Sequence, residues 1–97
     1  MVDREQHVAK MKAQLDHFSE QMAAWELRAR GAKSDARIEL QKQIGILKSR
    51  IDDVAFRMEL LKDASAEAWQ EVARGADEAR QAMQVSFERA RAKFEGI

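Results

Sequence analysis

Apolar and small residues recur along the chain at alternating steps of three and four. In the first third they fall at Val8, Met11, Leu15, Phe18, Met22, Trp25, Ala29, Ala32 and Ala36. That spacing is the seam of a helix packed against other helices. Leu40 and Ile44 follow at steps of four, a local stutter, and Leu47, Ile51, Val54, Met58 and Leu61 resume the pattern. In the last third Trp69, Ala73, Ala76, Met83, Phe87, Ala90, Phe94 and Ile97 continue it, with Arg80 as an interruption. Between the stripes lie helix-spaced charge pairs such as Glu26–Arg30, Asp53–Arg57 and Glu71–Arg74, each contributing about 0.2–0.5 kcal/mol. No strand-like alternation is present, so the pattern predicts an all-α fold.

Two places compete for the helix break. In "RGAKSDA" (residues 30–36), Gly31 is able to end a helix and Ser34 to cap the next. In "KDASAEA" (residues 62–68), Lys62 suits a helix C-terminus, Asp63 or Ser65 an N-cap, and Glu67 a first turn. Ala29, Ala32 and Ala36 carry the seam past Gly31 without a change of phase, and an interior glycine costs only about 1 kcal/mol. The expectation is therefore a long helix over about 3–62 and a second over about 66–95. The alternative is a monomeric three-helix bundle broken near 31–34.

The long hairpin has a consequence. Its second helix covers only residues ~34–62, so the stripe Val8, Met11, Leu15, Phe18, Met22 and Trp25 is left bare. Each large apolar side chain gains about 1.5–3 kcal/mol on burial, so the stripe needs a partner. The simplest is a second copy running antiparallel, giving two three-helix bundles that share two long helices. Those six residues are then the oligomer interface, and Gly31 is the hinge between monomer and domain-swapped dimer.

Composition strengthens the helical reading. The 97 residues contain no Pro, Cys, Asn, Thr or Tyr, so turn vocabulary is scarce and neither disulfide nor thiolate chemistry is available. Charged residues make up 35% of the chain, the composition of long helices and coiled coils. Formal net charge is zero, which argues against a general nucleic-acid binder. The zero hides an asymmetry. Residues 1–50 carry ten Lys/Arg against seven Asp/Glu, and residues 51–97 carry seven against ten, which favours antiparallel packing within or between chains. No apolar signal region or membrane-spanning run is visible, so a cytoplasmic location is expected.

The chain also repeats itself. "AWELRARGA" from Ala24 and "AWQEVARGA" from Ala68 agree at six of nine positions, including both tryptophans and two of the four glycines. The repeat suggests two diverged copies of one helical unit, with the motifs at equivalent places in the two.

The stretch "LKDASAEAWQEVARGADEARQAMQVSFERARAKF" (residues 61–94) resembles the C-terminal part of small uncharacterised bacterial coiled-coil proteins, with a Leu-Lys-x-Ala-Ser turn followed by Ala-Trp, a glycine and spaced Ala/Phe. Its specific part runs from Leu61 to Gly75. The resemblance implies a long-helix, short-helix hairpin and a bacterial source, and carries no activity or functional residues. Gly31 and Gly45 depart from the usual long-helix pattern of such proteins.

Candidate chemistry is sparse. His7 and His17 are ten residues apart and point to different helix faces, whereas helical metal sites use pairs three or four apart. Asp52 and Asp53 read as a solvated edge. The five serines (19, 34, 49, 65 and 86) have no partner suggesting an activated nucleophile, and no glycine-rich phosphate loop appears. Trp25 and Trp69 lie on the seam and read as core. Arg28, Arg30, Lys33 and Arg37 read as a solvated basic face. The sequence thus predicts no enzyme, cofactor, metal or nucleic-acid partner, but a self-associating interaction module, a dimer above all. The alternative is an amphipathic protein that opens onto a lipid or hydrophobic polymer surface. The narrow seam favours protein partners over lipid.

Overall fold

A computed structural model describes residues 4–96 and shows three helices: α1 (Arg4–Gly31), α2 (Ser34–Asp63) and α3 (Trp69–Glu95). They form an up-down-up rod of 51 × 17 × 17 Å. Helix α2 runs antiparallel to both neighbours, and α1 and α3 run parallel to each other.

The core is the predicted seam. Met11, Leu15, Phe18, Trp25 and Ala29 from α1 meet Leu40, Ile44, Leu47, Val54 and Leu61 from α2, and Ala76, Met83, Phe87, Ala90 and Phe94 from α3. Ala79 and Ser86 of α3 are also buried, though neither lies on the predicted seam. Ile97, the last seam position expected, lies outside the described residues.

Backbones of α1 and α3 approach each other at few points, and aromatic side chains fill the space between them. Phe18 meets Phe87 with ring centroids 4.3 Å apart. Trp25 stacks on Phe94 at 4.8 Å with planes 13° apart, and on Phe87 at 5.7 Å. Such pairs add about 0.5–1.5 kcal/mol each beyond area burial.

The helix expected over about 3–62 is interrupted. Ala32 and Lys33 are non-helical, and Lys33 takes an extended conformation (φ −66°, ψ 157°) that reverses the chain. Three local features serve the break. Arg28 and Arg30 sit in the last turn of α1 and Asp35 in the first turn of α2, each matching its helix dipole. The Arg37 guanidinium donates to the Ala32 carbonyl at 3.2 Å, satisfying an acceptor freed by the break. The larger reason is global: folding back lets α1 bury its stripe on its own α2 and α3. Ser34 is the first residue of α2 and makes no side-chain cap, contrary to expectation.

The second connection, Ala64–Ala68, falls in the region expected and is a turn, with α3 beginning later than the predicted residue 66. Ser65 does accept a hydrogen bond, from the Ala68 backbone N–H at 3.2 Å, one turn before α3 starts.

The two repeat motifs do not occupy equivalent places. In the parallel α1–α3 pair, Gln14 meets Arg80 and Trp25 meets Phe94, whereas the motifs are 44 residues apart. Trp25 therefore lies at the end of the rod near the first connection. Trp69 opens α3 at the opposite end, half-buried beneath the Arg4 guanidinium.

Candidate functional site

The six interface candidates all face inward. Met11 is fully buried, Leu15, Phe18 and Trp25 are nearly so, and Val8 and Met22 pack at the edge of the same cluster. Their cover comes from α2 and α3 of the same chain. The stripe that called for a partner is thus occupied in this arrangement.

Gly31, the hinge candidate, ends α1. Its φ is not positive, and a Cβ placed on it meets nothing within 4 Å. Neither backbone conformation nor crowding requires glycine there. The connection that follows is only Ala32 and Lys33, closed by a long 3.3 Å bond from the Ala32 N–H to the Ala29 carbonyl.

Polar side chains clasp α1 to the rest of the bundle along its length. Arg80, the interruption in the α3 seam, donates from Nε to Gln14 Oε1 at 2.7 Å and pairs with Asp77 at 3.3 Å. His7 Nε2 lies 3.3 Å from the same Asp77 Oδ1, without the alignment of a hydrogen bond, and its ring meets the edge of Trp69. Arg28 reaches across to the Phe94 carbonyl at 3.1 Å and lies over its ring. Arg4 donates to the Lys62 carbonyl at 3.0 Å. Along the sequence Arg80 reads only as a defect in a stripe; its 66-residue separation from Gln14 gives no local signal.

Two of the surface clefts among the described residues bear on this reading. One, of about 300 Å³ between α1 and α2, is lined by Glu26, Ala29, Arg30, Ile44 and Lys48. Its charges answer one another, since Glu26 pairs with Lys48 at 3.5 Å and with Arg30 at 4.0 Å. The other, of about 630 Å³, runs between α2 and α3 on the side away from α1. Lys42, Arg50, Arg89 and Lys93 surround Ile46 and Ala92 there. Among the described residues neither Lys42 nor Arg89 makes an ion pair, and Arg50 donates to the Ser86 hydroxyl at 3.2 Å.

Among the described residues, no three His, Cys, Asp or Glu side chains converge as a metal site needs. His17 is exposed against Phe18, far along α1 from His7. Among the described residues, no helix is long and apolar enough to cross a membrane. The basic residues Arg30, Lys33 and Arg37 surround the first connection; Arg30 and Lys33 are solvent-exposed there.

Comparison of the chain with protein-family models, with curated proteins and with solved structures gives no match. The residues and their geometry carry the functional reading.

Proposed function

We propose that this chain is a non-enzymatic, self-associating helical interaction module. One observation carries the reading. The apolar face of α1 packs against α2 and α3 across a connection of two residues, with Met11, Leu15, Phe18 and Trp25 buried and Val8 and Met22 at the edge. Exchange of an identical element between protomers is a low-cost route to dimers, and another copy offers α1 the same surfaces. If Ala32 and Lys33 become helical, α1 and α2 join into one helix that projects α1 into a neighbour. The dimer interface is then Val8, Met11, Leu15, Phe18, Met22 and Trp25, each making between chains the packing it makes here within one.

The cost of straightening the hinge is small. Gly31 already has a non-positive φ, and the break rests on few local bonds. The apolar face of α1 is buried on the same surfaces in either form, so protein concentration decides between them.

Light scattering across a dilution series tests the proposal. A mass of two chains at high concentration, falling towards one on dilution, is the expected result. A mass of one chain up to millimolar concentration would remove the basis for it. Flotation with anionic liposomes then asks whether the bundle opens on a lipid surface instead.

A further inference from the structure

Folding converts the charge asymmetry of the sequence into a charge asymmetry of the rod. The end that holds the first connection comprises residues 18–50 and 82–96, with ten Lys/Arg and six Asp/Glu. The other end comprises residues 4–17 and 51–81, with seven and ten. Each end also carries its own exposed apolar feature on α2. At the acidic end Phe56 and Leu60 stand 59% and 40% exposed, among Asp52, Asp53, Glu59 and Asp63; Asp53 and Glu59 make exposed pairs with Arg57 and Lys62 of the same helix, which a partner's cations would have to displace or share. At the basic end lies the groove floored by Ile46 and Ala92 and rimmed by Lys42, Arg50, Arg89 and Lys93.

Knob and groove share one helix, and α2 turns by about 100° per residue. Phe56 and Leu60 therefore lie on the same outward side as Lys42 and Ile46, away from Leu40, Leu47 and Val54 in the core. Their spacing is reciprocal. Ile46 and Phe56 have the same midpoint along α2 as Lys42 and Leu60, level with Ile51. A two-fold axis through that midpoint sets α2 antiparallel to its copy and places each apolar knob over the other chain's groove. The same register brings Asp53 within one position of facing Arg50, and Glu59 within one position of facing Lys42, in both directions. Ser49, between the two features, leaves room for the helices to approach.

We propose that the outer face of α2 is a self-complementary docking surface whose occupant is a second copy of this chain. The interface is isologous: each copy gives the acidic Phe56/Leu60 knob and receives it in the basic Ile46 groove. Apolar contact at the centre supplies affinity, and the charges fix the antiparallel register and reject the parallel one. This rests on the reading that the chain self-associates, but it assigns the contact to α2 and leaves α1 in its own bundle.

A charge-exchange experiment tests it. One variant combines Lys42→Glu with Arg50→Glu, and the other combines Asp53→Lys with Glu59→Lys. Masses are measured alone and mixed, with circular dichroism to show that each is helical. Each variant alone is expected to dimerise about tenfold or more weakly than the parent chain, and an equimolar mixture to recover the mass of a dimer. Phe56→Ser, which alters no charge, is expected to weaken it too. A parent chain that dimerises while all three variants do so equally well would overturn the α2 surface and leave exchange of α1 as the mode of association. A parent chain that stays monomeric would overturn self-association itself. Loss of association in both charge variants without recovery on mixing would rule out the reciprocal register.

Discussion

The indole of Trp25 lies on the ring of Phe94 at 4.8 Å, nearly parallel to it, and joins two helices whose backbones scarcely approach. Trp25→Ala removes the largest plug between α1 and α3 at that end of the rod. Truncation of a buried aromatic costs about 3–5 kcal/mol, a large share of the roughly 5–15 kcal/mol that holds a domain folded. Urea denaturation at low protein concentration is expected to show this loss. Trp69→Ala should cost less, about 1–2 kcal/mol, because Trp69 is only half-buried at a helix start.

The Arg80–Gln14 hydrogen bond should behave as a coupled pair. A bond to a charged group contributes about 1.5–3 kcal/mol when formed, less where solvent reaches it, and the Arg80 side chain is 27% exposed. A double-mutant cycle of Arg80→Ala and Gln14→Ala is expected to give a coupling of about 1 kcal/mol. Strict additivity would show that the contact contributes nothing.

Gly45→Ala should stabilise the protein. A Cβ at Gly45 meets nothing within 4 Å, and alanine is favoured over glycine in a helix interior by about 1 kcal/mol. A thermal melt is expected to rise by about 4–8 °C. Gly75 differs: a Cβ there comes within 3.1 Å of the Arg57 guanidinium, which crosses α3 at that point. Its gain from alanine should be smaller, because Arg57 must move.

Gly31→Ala should shift the protein towards the dimer. The substitution meets no steric obstacle in the closed chain, and it favours helix across the hinge more than it favours a helix end. Sedimentation is expected to show a larger mean mass at equal concentration. A shift towards monomer would contradict the hinge role.

Much of the fold is legible in the sequence because burial and periodicity coincide. Spacing alone puts Met11, Leu15, Phe18, Leu47, Val54, Met83 and Phe87 on a seam, and all are buried. The site of the first break is visible in Gly31 and Ser34, but the choice between break and continuity is not. The seam passes through residues 29–36 in phase either way, and what decides is whether α1 finds its cover in its own chain. The repeat misleads for a related reason. Trp25 and Trp69 have similar local sequences but different distances to their helix ends, and register is set by whole helices. Ala79 and Ser86 escape the seam because α3 faces two neighbours and buries a wider arc than a single stripe. The α2–α3 groove carries no linear signal, since Lys42 and Arg89 stand 47 positions apart.

In the proposed exchange of α1, the stacked aromatics between α1 and α3 would set the clock. Connections of two and five residues and no proline let a displaced helix re-dock fast, on the microsecond-to-millisecond scale of small bundles. Release of α1 is expected to be the slower step, because Phe18 must leave Phe87 and Trp25 must leave both Phe87 and Phe94. On the proposed exchange of α1, a swapped pair and a closed single chain interconvert at the rate of that unlatching, whatever their relative stability. Under that proposal, a population set at high concentration is expected to keep its composition for a time after dilution, a short memory of how crowded the protein has been.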